Sequence, residues 1–184
     1  FYTTVISVML GPYLISIAES SVGKEGLIFD LGLFRVTSGG FPAFCIAISV
    51  VSMVVFLPFL GAVADYTHLK KKLMAIFCYL GVLASSLLFF VTGDSYIFGG
   101  ILLIVSNIGF AAANVFYNAF LVDITTEDLR DRVSSYGYGA GYIGGVVMLV
   151  ANLILIENAG ALGLSKGMAV RVSFLVASLW WGLF

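Results

Sequence analysis

Predominantly apolar residues recur in six runs, near positions 1–19, 41–64, 73–92, 96–122, 135–156 and 169–184. A helix crosses a hydrocarbon core with about 20 residues at ~1.5 Å each, so each run predicts one crossing, the first and last being cut by the chain ends. Runs of this length argue against strands, and backbone groups in lipid must satisfy one another within the segment, which points to helices. The chain starts at Phe1 and stops at Phe184 inside an apolar run, which suggests a piece of a longer protein.

Polar residues concentrate in the connections. Residues 20–40, SSVGKEGLIFDLGLFRVTSGG, form the longest predicted loop, rich in Gly and Ser and mixed in charge. The short loops 66–72 and 123–134 hold five of the nine Lys and Arg, namely Lys70, Lys71, Lys72, Arg130 and Arg132. Basic residues flanking spans are retained on the cytoplasmic side, so both of these loops and both ends of the chain are expected inside.

Composition strengthens this picture. The 184 residues are 61% hydrophobic and only 10% charged, with a mean hydropathy of +1.10. A soluble domain with a polar shell does not carry such values. With a formal net charge of −1 and no basic run interleaved with aromatics on a soluble segment, the sequence makes no case for nucleic acid. Cys45 and Cys78 lie in apolar runs without CxxC spacing or a neighbouring His, and are read as small apolar side chains, with no metal or cofactor site expected.

The stretch GAVADYTHLKKKLM, residues 61–74, gathers Asp65, the single histidine His68 and three lysines between two apolar runs. A topology anchor explains Lys70 to Lys72. It leaves Asp65 unexplained, because a half-buried carboxylate without a partner costs several kcal/mol or neutralises. His68, beside lysines that disfavour its charged form and without a second ligand, is a poor catalytic or metal candidate.

Gly61, Ala64, Asp65 and the Lys70–Lys72 cluster resemble the signature loop between the second and third helices of the major facilitator superfamily, although Tyr66 stands where a base is usual and His68 where a glycine is usual. The segments GPYLISIAES, PFLGAVADYTHLKKK and YNAFLVDITTEDLRDRVSSYGYGAGYIGG are similar to the vacuole-effluxer branch of that superfamily, the autophagy-related family with many bacterial members. The resemblance implies an all-α membrane protein of twelve helices in two halves, with six transmembrane helices here forming the N-terminal half. It implies a solute path between the halves that opens alternately to each side. It further implies efflux of amino acids, in a plasma membrane if bacterial or a vacuolar membrane if fungal. The expected partners are a small solute, the lipid bilayer and the absent C-terminal half, with protons as a candidate coupling ion.

The resemblance places the first and fourth helices beside the central cavity. Asn107, Asn114 and Asn118, spaced seven and four apart, fall within about 40° of one helix face. Three amides on one side of an apolar span either line a polar path or bond neighbouring helices. Thr4, Ser7 and Gly11 form a weaker stripe on the first helix, where packing is the leading account, and Pro12 removes a backbone hydrogen bond within that span. Gly137, Gly141 and Gly145 form a ridge that admits a close helix, expected to come from the absent half. Thr125 or Thr126 is expected to start a short helix with acids in its first turn. By the superfamily resemblance, Asp65 with Lys70, Lys71, Lys72, Arg130 and Arg132 would form a cytoplasmic latch holding one conformation shut. No acid or His sits near the middle of a span to serve proton coupling.

Two other classes stand against transport. A membrane-embedded enzyme needs a nucleophile, base or metal cluster at a defined depth, which the sequence does not offer. A structural membrane protein would be sealed through its centre.

Overall fold

The computed structural model describes residues 6–32, 34–66 and 69–183, with the backbone alone at 7, 65 and 66. Thr4 and His68 lie outside the described residues, as do the side chains of Ser7 and Asp65. A π-helical turn, Ile6–Leu10, leads into α1 (Gly11–Val22). The hairpin β1 (Leu27–Asp30) and β2 (Arg35–Thr37) follows, then α2 (Phe41–Tyr66), α3 (Lys70–Leu87) with a 3-10 turn Leu88–Phe90, and α4 (Tyr96–Ala119). The short α5 (Leu121–Ile124), a 3-10 turn Glu127–Leu129, α6 (Arg130–Glu157), a 3-10 turn Gly160–Leu162 and α7 (Lys166–Leu183) complete the order.

Six helices thus coincide with the six apolar runs. Four of them are long and apolar enough to cross a membrane, with a shorter apolar helix at Val8–Val22. Successive helices alternate in direction, which gathers the starts of α3 and α6 at one end, termed the basic end, and the β-hairpin at the other.

Three expectations about the connections are corrected. The 20–40 segment is not a plain loop: β1 and β2 pair antiparallel with a bulge between Leu27 and Phe29. Gly23, at a φ of 88°, ends α1 by turning its N–H back to Glu19 O at 3.0 Å, a conformation that costs a residue without Cβ little. Lys70, Lys71 and Lys72 do not sit in a loop but form the first turn of α3, where positive charge opposes the helix dipole. Arg130 and Arg132 likewise open α6. Thr126 does precede a short turn carrying Glu127 and Asp128, but no side chain caps it.

Pro12 accounts for the start of α1. Its missing N–H and its ring against the carbonyl four residues back disrupt α-helical bonding there, and the backbone widens to a π turn immediately before it. Pro58 lies inside α2, which continues through it.

The core lies where α1, α3, α4 and α7 meet. Leu10, Leu14, Leu88, Val91, Phe116 and Phe174 are fully buried. Aromatic contacts join the helices: Phe77 of α3 stacks on Phe116 of α4 at 6.0 Å, and Tyr13 of α1 meets Phe174 of α7 edge-on at 5.8 Å. Small residues set the spacing of α3 and α4, since a Cβ at Gly109 would stand 2.9 Å from the backbone of Gly81 and of Phe77. Of the apolar stretch of α4, 44% is buried, against 17% for α2 and 11% for α6. The outer helices therefore leave long apolar faces for lipid or for further protein.

Candidate functional site

The three asparagines of α4 are not equivalent. Asn107, half-buried, donates from Nδ2 to Ser49 Oγ at 3.4 Å and so links α4 to α2. Asn114 turns back on its own helix, donating to Phe110 O at 3.1 Å. Asn118, at the basic end, is exposed and accepts a long hydrogen bond of 3.5 Å from Tyr138 Oη of α6.

Asn118 and Tyr138 belong to a cavity of about 320 Å³ between the end of α4, α5 and the first half of α6. Tyr117, Ser134 and Tyr142 contribute the other polar groups, and Phe110, Leu121 and Ile124 much of the apolar wall. Gly137 and Gly141 also line it. A Cβ at Gly141 would meet nothing within 4 Å, and one at Gly137 would meet Tyr117 Oη at 3.4 Å. Gly145, one turn further, is buried. The first two glycines therefore keep room beside tyrosines, while the third lies on the packed side of α6.

Among the described residues, no charged side chain lines this cavity. It offers hydroxyls, one amide and aromatic faces, which suit hydrogen bonding to a neutral polar group and an ammonium held over a ring. They do not suit proton transfer at neutral pH.

Charges frame the cavity from outside. Lys70 Nζ at the start of α3 lies 3.0 Å from Asp123 Oδ2 on α5, with the lysine side chain 21% exposed and the carboxylate side chain 49%. This pair joins a lysine of the expected latch to an acid outside that set. It also offsets the unfavourable lysine at a helix N-terminus. Arg132 stays on its own helix, donating from Nε to Tyr136 Oη at 3.4 Å with its guanidinium 5.6 Å from the ring centre. Arg130 Nε is buried and finds no hydrogen-bond partner among the described residues. Lys71 and Lys72 are exposed at the surface of α3.

On α1, the face left uncovered carries Ser16 and Ser20, with Glu19 half-buried beside them, and a Cβ at Gly11 would meet nothing within 4 Å. At the hairpin end, Arg171 of α7 donates from a terminal guanidinium nitrogen to Phe89 O at 3.2 Å, with its charge 5.7 Å over the Phe89 ring. That carbonyl lies in the 3-10 turn ending α3, where backbone acceptors lack helical partners. Sequence reasoning missed Arg171, Tyr138 and the Gly81–Gly109 contact. The small residues Gly81 and Ser85, and Gly109 and Ala113, each spaced four apart, were the available signal for the last.

Apolar helices alternating in direction, with a polar cavity between two of them, define a multi-pass α-helical membrane protein. Within that class the chain belongs to the Atg22-like vacuole effluxer family, whose profile, described as "Vacuole effluxer Atg22 like", matches residues 24–128 and 122–184. It is similar to an uncharacterized MFS-type transporter of Bacillus subtilis, YxiO, with 37% identity over 157 residues, 84% of this chain and 37% of that protein. It is also similar to autophagy-related protein 22-1 of Penicillium rubens, 23% identical over 229 residues, covering 90% of this chain and 38% of that protein. A third relative, autophagy-related protein 22 of Yarrowia lipolytica, is 35% identical over 100 residues, covering 54% of this chain and 17% of that protein. The chain thus spans less than two fifths of the length of these relatives. No solved structure matches.

Proposed function

We propose that this chain is the N-terminal half of a secondary or facilitative transporter that exports a small polar solute, such as an amino acid, by alternating access. The observation that carries the reading is the uncharged cavity holding Asn118 and Tyr138 at the basic end. Its hydroxyls and amide suit the polar ends of a zwitterion, and its aromatic walls suit a side chain. The polar uncovered face of α1 supports the same reading, because Ser16, Glu19 and Ser20 have no reason to face lipid. Membership of a family described as vacuole effluxers and similarity to an MFS-type transporter support the transporter class and efflux.

Within this reading, the basic end faces the cytoplasm and the Lys70–Asp123 pair belongs to a latch that also engages Asp65 and Arg130. Gly141 admits a helix of the second half when the path closes. The test is amino-acid flux in proteoliposomes containing the full-length protein, with and without a proton gradient. Asn118→Ala should lower flux several-fold while leaving insertion intact, and Asn114→Ala should lower it less. Unchanged kinetics in correctly inserted Asn118→Ala would remove the cavity from the path. Acceleration by a proton gradient would establish coupling, and indifference to it would establish facilitated passage.

A further inference from the structure

We infer that the β1–β2 hairpin is a membrane-interface anchor, its exposed apolar side chains seated at the boundary between lipid headgroups and acyl chains. The hairpin is held to the bundle by one side only. Val36 is buried and Ile28 half-buried against the core, and Phe29 stands 6.5 Å from the Phe41 ring and 6.3 Å from the Phe44 ring at the start of α2. Leu27, Leu31 and Phe34 lie beyond this seat and are 51%, 56% and 67% exposed. Three large apolar side chains on so short a projection form a patch that water disfavours.

The polar groups of the hairpin satisfy themselves. Asp30 Oδ1 accepts the Gly32 N–H at 2.9 Å, and its other oxygen lies 3.5 Å from Arg35 Nε. Lys24 and Glu25 at its base balance each other as Asp30 and Arg35 do, so the segment carries two positive and two negative charges and no net charge. A net-neutral element with apolar and aromatic groups on one side suits the zwitterionic interface, where amphipathic side chains collect.

Continuity with the spanning surface points to lipid as the occupant, with the second half of the protein as the competing occupant that the quenching test separates. Phe44, which Phe29 touches, begins a stripe on α2 that continues through Ile48, Val51 and Val55 at helical spacing, all three exposed. The apolar side of the hairpin is therefore the upper end of a face that already requires a non-aqueous neighbour.

The test places a reporter at the tip. Phe34→Trp in the full-length protein is reconstituted in phosphatidylcholine vesicles, and its fluorescence is taken as the difference from the unsubstituted protein, which removes Trp180 and Trp181. The expected result is blue-shifted emission, quenched by phosphatidylcholine brominated near the top of the acyl chain and little affected by iodide. Water-like emission quenched by iodide would overturn the anchor. Protection from both quenchers would also overturn it, by assigning the surface to other protein. Leu31→Trp provides the same readout should the Phe34 variant fail to fold.

Discussion

Gly109→Ala tests how closely α3 and α4 lie. The added Cβ would stand 2.9 Å from Gly81 N and Phe77 O, and 3.0 Å from Gly81 Cα. All three are backbone atoms of a helix and cannot rotate aside. Carbon contacts are optimal at about 3.5–4.0 Å, so the helices must part by roughly half an ångström along their most extensive contact. Overpacking of this kind costs about 1–3 kcal/mol, or roughly 5- to 150-fold in the unfolding equilibrium, since about 1.4 kcal/mol is tenfold. The displacement also loosens the Phe77–Phe116 stack and shifts Gly81 against the Trp181 ring beside it. Gly139→Ala on α6 is the matched control, because a Cβ there meets nothing within 4 Å and it lies on the side of α6 opposite Gly137 and Gly141. Both substitutions gain the helix propensity of alanine, up to about 1 kcal/mol, so the difference between them isolates the contact. Unfolding of the full-length protein in mixed micelles, titrated with a denaturing detergent, measures it. Equal midpoints for the two variants would refute the backbone-to-backbone approach.

Two further outcomes follow from the ends of the bundle. In a double-mutant cycle on Lys70→Ala and Asp123→Ala, the coupling should be about 0.2–1 kcal/mol, as for a pair still in contact with water, and should shrink at high salt; a salt-independent coupling would mean the pair is shielded from solvent. Arg171→Leu removes the donor to Phe89 O and should cost about 1–3 kcal/mol, with faster amide exchange confined to the end of α3 near Leu88–Val91; unchanged exchange there would show that the carbonyl does not depend on the guanidinium.

The six helices were legible because a membrane demands one simple property, a long apolar run; among the described residues each run overlaps a helix, and four of these helices are long and apolar enough to cross. The ends were less legible because apolarity does not mark them. Lys70 to Lys72 read as loop by their charge, yet they wind into the first turn of α3, where Asp123 stands opposite Lys70. The hairpin escaped notice because its strands are only four and three residues long and a bulge breaks their alternation. At the site, the spacing put three amides near one face of α4, yet Asn107 reaches α2, Asn114 bonds its own helix and Asn118 meets α6. Which of them meets a cavity depends on where α6 crosses α4, a tertiary relation that no local pattern records. The same holds for Tyr138, whose role appears only once Asn118 is beside it.

The uneven covering of α6 has a mechanical side. Its packed residues, Gly145 and Asn152, lie in the half whose Met148, Leu149 and Ile156 pack against the core, while the cavity-lining half from Val133 to Tyr142 is mostly exposed. At ~1.5 Å per residue, Gly137 sits about 22 Å along the axis from Asn152. A rigid rod pivoting there by about 10° would sweep Gly137 through roughly 4 Å, more than the width of a water molecule. Under the proposed alternating access, α6 would act as a lever, with its fulcrum on the core and an arm that the second half meets at Gly141 and that forms one wall of the cavity.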